Sequence, residues 1–427
     1  CRKCVNDSVG SMDYLPRTVD LELDELLPLA PAIAIDGPKG VGKTDTARRR
    51  ATTTWLLDDE DQRRIAAADF GLTAVPAGTL LLDEWQKLPQ VWDSVRRRVD
   101  AGASPGSYLL TGSATPTDAA GTHSGAGRIL SLRMRPMALP ERGRTTPTVS
   151  LARLLEGGRD PVGGDSGYGL TDYADTIVAS GFPGIMNAPP RLRRGLLDAY
   201  LQRIIDRDLP DHGFAVRRPE TLRRWLGAYA AASSTTTSYS RMLDATTGGD
   251  GAQPAHTTTI VYRDLLTRLW ILDPVPGWLP ANNPIRRFQQ APKHQLADPA
   301  LAARLLGLSS SSLLNASGAH MMGPLFESLA TLTVRVAAQA AEARVYHMRT
   351  QGGRHEVDLV VEGVDGQIVG IEVKLAAAVG DSDVKHLLWL RDQIPDRVAD
   401  LVVVTTGKAA YRRPDGVAVV PLALLGP

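Results

Sequence analysis

Residues Gly37, Pro38, Lys39, Gly40, Val41, Gly42, Lys43 and Thr44 carry the spacing GxxxxGK[ST], and each residue type in it has a use in gripping a polyphosphate. Glycines at 37, 40 and 42 let main-chain N–H groups converge on phosphate oxygens. Lys43 supplies a compact ammonium for the β and γ phosphates of ATP, and the Thr44 hydroxyl supplies a ligand for magnesium. Asp83 and Glu84, which close the aliphatic run LLLDE, suit the same chemistry. Asp83 is expected to hold the metal through water, and Glu84 to polarise the water that attacks the γ phosphate. A strand running into a charged turn is the plainer account of that pair, and the glycine loop weighs against it. Thr111 and Ser113, ending SYLLTGS, are placed to contact the γ phosphate or the attacking water. Arg128 in SGAGRILSL can stabilise transition-state charge within one subunit or across an interface, or simply face solvent.

A second constellation lies near the other end. HEVDLVVEG followed by QIVGIEVKL gives Asp358 on one strand, then Glu372 and Lys374 on its neighbour. A strand repeats every two residues, so Glu372 and Lys374 share a face, and Asp358 can meet them across the hairpin. Asp358 and Glu372 would bind magnesium beside a phosphodiester, while Lys374 positions or activates a water. Glu327, in PLFESLA, is a further candidate ligand. The competing account is a charged ladder on an antiparallel pair.

These residues need elements to hold them. Residues 31–36 read as a short buried strand that runs into the glycine loop and then a helix starting near Lys43. Apolar strands at 54–58, 79–84 and 107–113 alternate with helical stretches such as VWDSVRRRVDAG, which predicts a doubly wound parallel sheet of the P-loop NTPase kind over residues 20–150. Residues 1–19 form an arm before it, and the sheet region ends near 132–143. From 165 to 315 the apolar spacing of three and four predicts a mainly helical region. A Ser/Thr/Gly stretch at 233–258 interrupts it and reads as a long loop or elaborated turn. Residues 306–320 read as a linker into a last α/β unit, 320–427, whose strands are expected at ARVYHMRT, HEVDLVVEG, QIVGIEVKL and ADLVVVTTG.

Composition bounds the rest. The chain has 427 residues, 43% hydrophobic and 22% charged, which fits several packed cores and excludes disordered or collagen-like classes. No apolar run reaches the length of a membrane helix, so no membrane partner and a cytoplasmic location are expected. The two cysteines, Cys1 and Cys4, form a lone CxxC with no second pair to complete a zinc site. Of 48 basic residues only eight are lysines, which makes the two in the glycine loop and the one behind Glu372 more telling. A net charge of +1 argues against strong nonspecific DNA binding, although arginine runs at 191–194 and 215–224 restore some basic surface.

In this order GPKGVGKT, LLLDEWQKLP, YLLTGS, SGAGRI with RPMALPER, SGFPG, YLQRIIDRDLP, PKHQLADPALAARLLG, LFESLA, HEVDLVVEG and GIEVK resemble a bacterial and archaeal ATPase family. In that family an AAA-type module precedes a domain of unknown function. The resemblance implies that Lys43, Thr44, Asp83 and Glu84 bind and turn over ATP with magnesium. It implies a winged-helix-like middle region and a tail like the restriction-endonuclease fold, with Asp358, Glu372 and Lys374 at its acidic and basic positions. Three expectations follow: an ATPase coupled to a DNA-directed nuclease-like domain, an ATP-dependent switch whose tail only binds DNA or protein, or a signalling protein that ATP drives into a homo-oligomer.

Overall fold

The computed structural model describes residues 14–427 apart from 74, 114–125, 159, 212–215, 217–218, 246–255 and 279–290. Cys1, Cys4, most of the N-terminal arm and the middle of the Ser/Thr/Gly stretch lie outside the described residues.

Five strands form the first sheet: β1 (Ala32–Asp36), β2 (Thr53–Leu56), β3 (Leu80–Asp83), β4 (Tyr108–Gly112) and β5 (Leu130–Arg133). Their order is β2-β3-β4-β1-β5, and every neighbouring pair is parallel. Parallel strands need crossovers, and the helices Lys43–Arg48, Glu60–Ala68 and Gln90–Asp100 supply them. The apolar runs read from the sequence are short because both faces are covered. Ile33 and Ile35 pack into one apolar cluster, while Ala32 and Ala34 pack into another with Leu80, Leu82 and Leu110. The fifth strand carried no expectation of its own, since its first half, Leu130–Ser131, is exposed.

Residues 149–150 form β6, and the middle region is helical as expected, with helices at Leu170–Ala179, Pro190–Arg203, Pro219–Ala231, His256–Arg268 and Pro299–Leu305. The Ser/Thr/Gly stretch contains a helix, Tyr239–Ala245, where a loop was expected; Met242 and Leu243 are buried and anchor it. Antiparallel pairings of Leu272 with Leu296 and Val275 with Lys293 make a small ribbon.

The last unit is built on a seven-stranded mixed sheet. Its members are β7 (Gly277–Trp278), β8 (Arg344–Arg349), β9 (Glu356–Glu362), β10 (Ile368–Lys374), β11 (Val398–Thr405), β12 (Tyr411–Arg412) and β13 (Ala418–Pro421), ordered β12-β13-β11-β10-β9-β8-β7. The β9–β10 pair is an antiparallel hairpin, and the helix Asp381–Gln393 makes the crossover to the parallel neighbour β11. The helix Ala319–Ala340 packs on the opposite face from that crossover helix, with Phe326, Leu329, Ala330 and Val334 fully buried. It starts at Ala319, so Pro324 lies in its second turn, where the missing N–H leaves the carbonyl of His320 without its helical donor.

The three regions are not separate beads. One apolar cluster runs from Ile33 and Ile35 through Tyr173, Trp225 and Phe326 to Val369 and Val420. The final strand, β14 (Leu425–Gly426), pairs in parallel with β6, which clasps the chain end to the segment following the first sheet. Among the described residues no helix is long and apolar enough to cross a membrane.

Candidate functional site

In a parallel sheet the loops that follow the strands gather at one edge. The order β3-β4-β1 therefore brings the glycine loop, Asp83–Glu84 and Thr111–Ser113 side by side. The loop's shape demands its glycines. A Cβ on Gly37 would stand 2.1 Å from the Met134 carbonyl oxygen, and Gly40 and Gly42 have φ of +78° and +99°. Val41 is in the core, and its carbonyl accepts from Arg17 Nη1 at 2.6 Å, which fixes the loop from behind.

Lys43 is buried and its ammonium donates to the carbonyls of Gly37 and Pro38, both at 2.9 Å, so it lies folded over the loop. Burial pushes its pKa down to about 8, while Glu84, Asp36 and Asp83 pull the other way. A polyphosphate arriving at that ammonium would raise the pKa again. The Thr44 hydroxyl donates to Asp83 Oδ1 at 2.7 Å, and Thr111 donates to the same oxygen. Asp83 is thus held by hydroxyls from two segments. Threonine oxygen and carboxylate together are a donor set that suits magnesium, which takes few protein ligands and completes its shell with water and phosphate oxygens.

Glu84 adopts φ +53°, unusual for a residue with a side chain and costing on the order of 1 kcal/mol. The chain turns sharply there, between the strand and a short helical turn at Trp85–Lys87. Trp85 packs against Gly112, where a Cβ would meet its indole nitrogen at 2.4 Å. The strain is thus locked in place by packing. Burial raises the Glu84 pKa, with Lys43 opposing, so its carboxylate is a better proton acceptor than an exposed one. Gln86, for which the sequence suggested no role, donates from its amide to Glu84 and, at 3.1 Å, to Ser113 Oγ. It ties the turn to the neighbouring strand end. No sequence pattern separates it from the other polar residues of DEWQK.

Two expected site residues point elsewhere. Lys39 pairs with Asp208 of the middle region at 2.5 Å, and its carbonyl accepts from Tyr200 at 3.2 Å. Arg128 precedes β5, at the edge of the sheet where parallel strands begin, and pairs with Asp100 at 2.9 Å. Within one chain the topology sets it at the opposite edge from the glycine loop, so the expectation that Arg128 contacts the nucleotide in the same subunit is corrected. Its side chain is 48% exposed.

Beside the loop a cleft of about 680 Å³ is lined by Tyr14, Arg17, Arg49, Met134, Pro183 and Met186 among others. Arg49 lies over the Tyr14 ring at 4.4 Å. The segment SGFPG thereby reaches the loop from the middle region: Pro183 lines this cleft and the Phe182 ring packs at a tilt against Tyr200, centroids 4.8 Å apart.

In the C-terminal unit the hairpin brings Asp358, Glu372 and Lys374 together. Asp358 is the third residue of β9. Its Oδ2 accepts from the Val373 N–H at 2.9 Å, and Lys374 donates to Glu372 at 2.9 Å. A residue given no site role above, the lysine of PKHQLADPALAARLLG, sits among them. Lys293, its side chain 1% exposed, lies 2.7 Å from Glu327, 3.0 Å from Asp358 and 4.0 Å from Glu356. Burial works against its charge, but Asp358 and Glu327 outweigh burial and hold it protonated. Lys293 and the Val373 N–H in turn hold Asp358 below the usual carboxylate range despite burial. Glu372 is pushed well up by burial and by Asp358, and its Oε1 has no hydrogen-bond partner. Among the described residues no group of three or more histidine, cysteine, aspartate or glutamate side chains is arranged to hold a metal ion.

Comparison with known proteins matches residues 30–142 to a family described as AAA domain. Residues 170–312 and 322–425 match two families described as domains of unknown function, DUF8612 and DUF4143. Two proteins described as uncharacterised, from Mycobacterium bovis and Mycobacterium tuberculosis, are each 26% identical over 419 residues, covering 95% of this chain and 83% of theirs. A Walker-type ATPase of Pyrococcus abyssi is 14% identical, with a TM-score of 0.39, over 69% of this chain and 96% of that one. The AAA match supports an AAA-type ATPase module that binds or hydrolyses ATP.

Proposed function

We propose that the chain is a magnesium-dependent ATPase acting as a nucleotide switch for its middle and C-terminal regions. The observation that carries this reading is the Thr44 hydroxyl on Asp83 at 2.7 Å, with Lys43 and Glu84 alongside. Main-chain N–H groups of residues 37–44 and the Lys43 ammonium bind the phosphates, and the cleft beside Tyr14 and Pro183 takes the adenosine. Thr44 and Asp83 would hold magnesium, which when bound would offset the charge of the phosphates. Glu84 takes a proton from the water that attacks the γ phosphorus, releasing ADP and phosphate, while Thr111 and Ser113 orient that water. Glu84→Gln is expected to leave ATP binding intact and lower hydrolysis about 10²–10⁴-fold, measured as phosphate release. Equal hydrolysis in the variant would refute the assignment.

Lys39, paired with Asp208, and SGFPG beside the loop give the middle region a direct view of the phosphates. For the tail, two readings compete: DNA cleavage at Asp358, Glu372 and Lys374, or a fold that only binds DNA or protein. Lys293 favours the second, because an ammonium already neutralises the carboxylates that a magnesium ion would need. Incubating the protein with magnesium, ATP and DNA, and comparing it with Glu372→Ala and Lys43→Ala, separates them. Cutting that disappears in Glu372→Ala establishes a nuclease. No cutting, with manganese as well, supports the switch.

A further inference from the structure

A second charged centre lies where the first sheet meets the C-terminal unit, beside the strand end that leads into the glycine loop, since Arg133 is the register partner of Asp36. Arg133, Arg135 and Arg335 converge on one buried carboxylate, Asp273. Arg133 Nη1 is 3.0 Å from its Oδ1, Arg135 Nε is 2.9 Å from its Oδ2, and Arg335 donates to Oδ1 as well. Asp273 neutralises one charge and Asp36, beside Arg133, faces another, so three arginines still leave an excess of positive charge at low dielectric, an expensive arrangement without a further anion. Burial, with the neighbouring arginines adding to it, lowers the Arg133 pKa to about 9, and its Nε has no partner.

The excess faces a cleft of about 420 Å³, lined by Arg135, Arg335, Arg344, Gln339, Tyr346 and Pro276 among others. Arg344 is exposed and stands across the strand pair from Glu362, which Arg397 engages at 2.7 Å. Glu342 at the mouth is exposed, and Glu22, bonded to Gln339, has its carboxyl pushed up to about 7 by burial, so it carries only part of a charge at neutral pH. Guanidiniums are the side chains best shaped for phosphate oxygens, and Tyr346 with Pro276 offers a flat apolar wall beside them.

We propose that this cleft binds a small organic phosphate of the nucleoside monophosphate class, its phosphate on Arg135, Arg335 and Arg344 and its ring against Tyr346. Arg135 follows β5 of the ATPase sheet, whereas Arg335 and Arg344 belong to the C-terminal unit, so the ligand bridges the two. It acts as an effector that strengthens their junction.

Calorimetry on the full chain tests this, with Lys43→Ala removing the ammonium of the ATP loop and AMP, inorganic phosphate and adenosine as probes. AMP is expected to bind once per chain and at least about tenfold more tightly than adenosine. Adding Arg344→Ala is expected to weaken AMP about tenfold or more, and adding Tyr346→Ala to weaken AMP but not phosphate. Arg344→Ala in the otherwise native chain keeps ATP binding at the loop, which controls for folding. Absence of AMP binding in the Lys43→Ala chain, or AMP affinity unchanged by Arg344→Ala, overturns the proposal. The native chain saturated with magnesium and ADP is expected to take up one further equivalent of AMP and to lose it on Arg344→Ala. Uptake that survives Arg344→Ala, or none in the native chain, overturns the proposal without relying on Lys43→Ala.

Discussion

Replacing Lys293 by methionine keeps roughly the volume and flexibility of the side chain and removes only its ammonium. That ammonium lies 2.7 Å from Glu327 and 3.0 Å from Asp358, with a side chain 1% exposed. At an effective dielectric near 20 each fully charged pair is worth roughly 6 kcal/mol of gross Coulomb energy, most of it offset by desolvation. What the substitution exposes is the desolvation left without compensation, about 3–5 kcal/mol for an orphaned buried charge. The cost must depend on pH. In the native protein Asp358 titrates below its ordinary value, so its contribution is present above the unfolded pKa and is lost only in acid. Burial already raises Glu327, to about 8, and Glu372 in the native protein, and without Lys293 Asp358 joins them above its ordinary value. The folded variant then holds protons that its unfolded chain has released, and its stability falls as pH rises from about 4. The deficit is therefore largest near pH 8 and shrinks towards pH 5. Urea melts at both pH values, followed by total tryptophan fluorescence, to which Trp278 and Trp389 of the C-terminal unit contribute, read it directly. Adding Glu327→Gln to Lys293→Met should recover part of the loss. A variant within about 0.5 kcal/mol of the native protein at pH 8, or a deficit that ignores pH, would refute the buried-ammonium argument.

Two further outcomes follow from the site. Gln86→Ala frees the Glu84 carboxylate from its link to Ser113, and is expected to lower ATP hydrolysis about tenfold with nucleotide affinity unchanged, as measured by steady-state phosphate release beside equilibrium nucleotide titration. Glu22, raised by burial to about 7, destabilises the fold as pH climbs through that value. Glu22→Gln should therefore gain about 1 kcal/mol over the native protein at pH 8, after allowance for its partial exposure, and nothing at pH 4, in denaturant melts at the two pH values.

Much of the first site was legible along the chain because its parts are local. Eight consecutive residues define the glycine loop, two define the acidic strand end, and each is flanked by a strand whose apolar run names it. The all-parallel sheet follows from strands alternating with helices. Two-residue strands such as β7 and β12 are too short to carry a periodicity, and for that reason nothing in the sequence marks them.

What the tertiary structure alone decided are the pairings between distant residues. Lys293 meets Asp358 across 65 positions and Asp273 meets Arg133 and Arg135 across about 140, in contacts that no local spacing encodes. Arg128 shows the same limit: its motif looks like a phosphate contact, yet strand direction puts it at the wrong edge of the sheet. The sequence determined which groups can grip a triphosphate, because that chemistry needs neighbours in the chain. Which buried charges compensate one another depended on how three regions share one core, and only the folded chain fixes that.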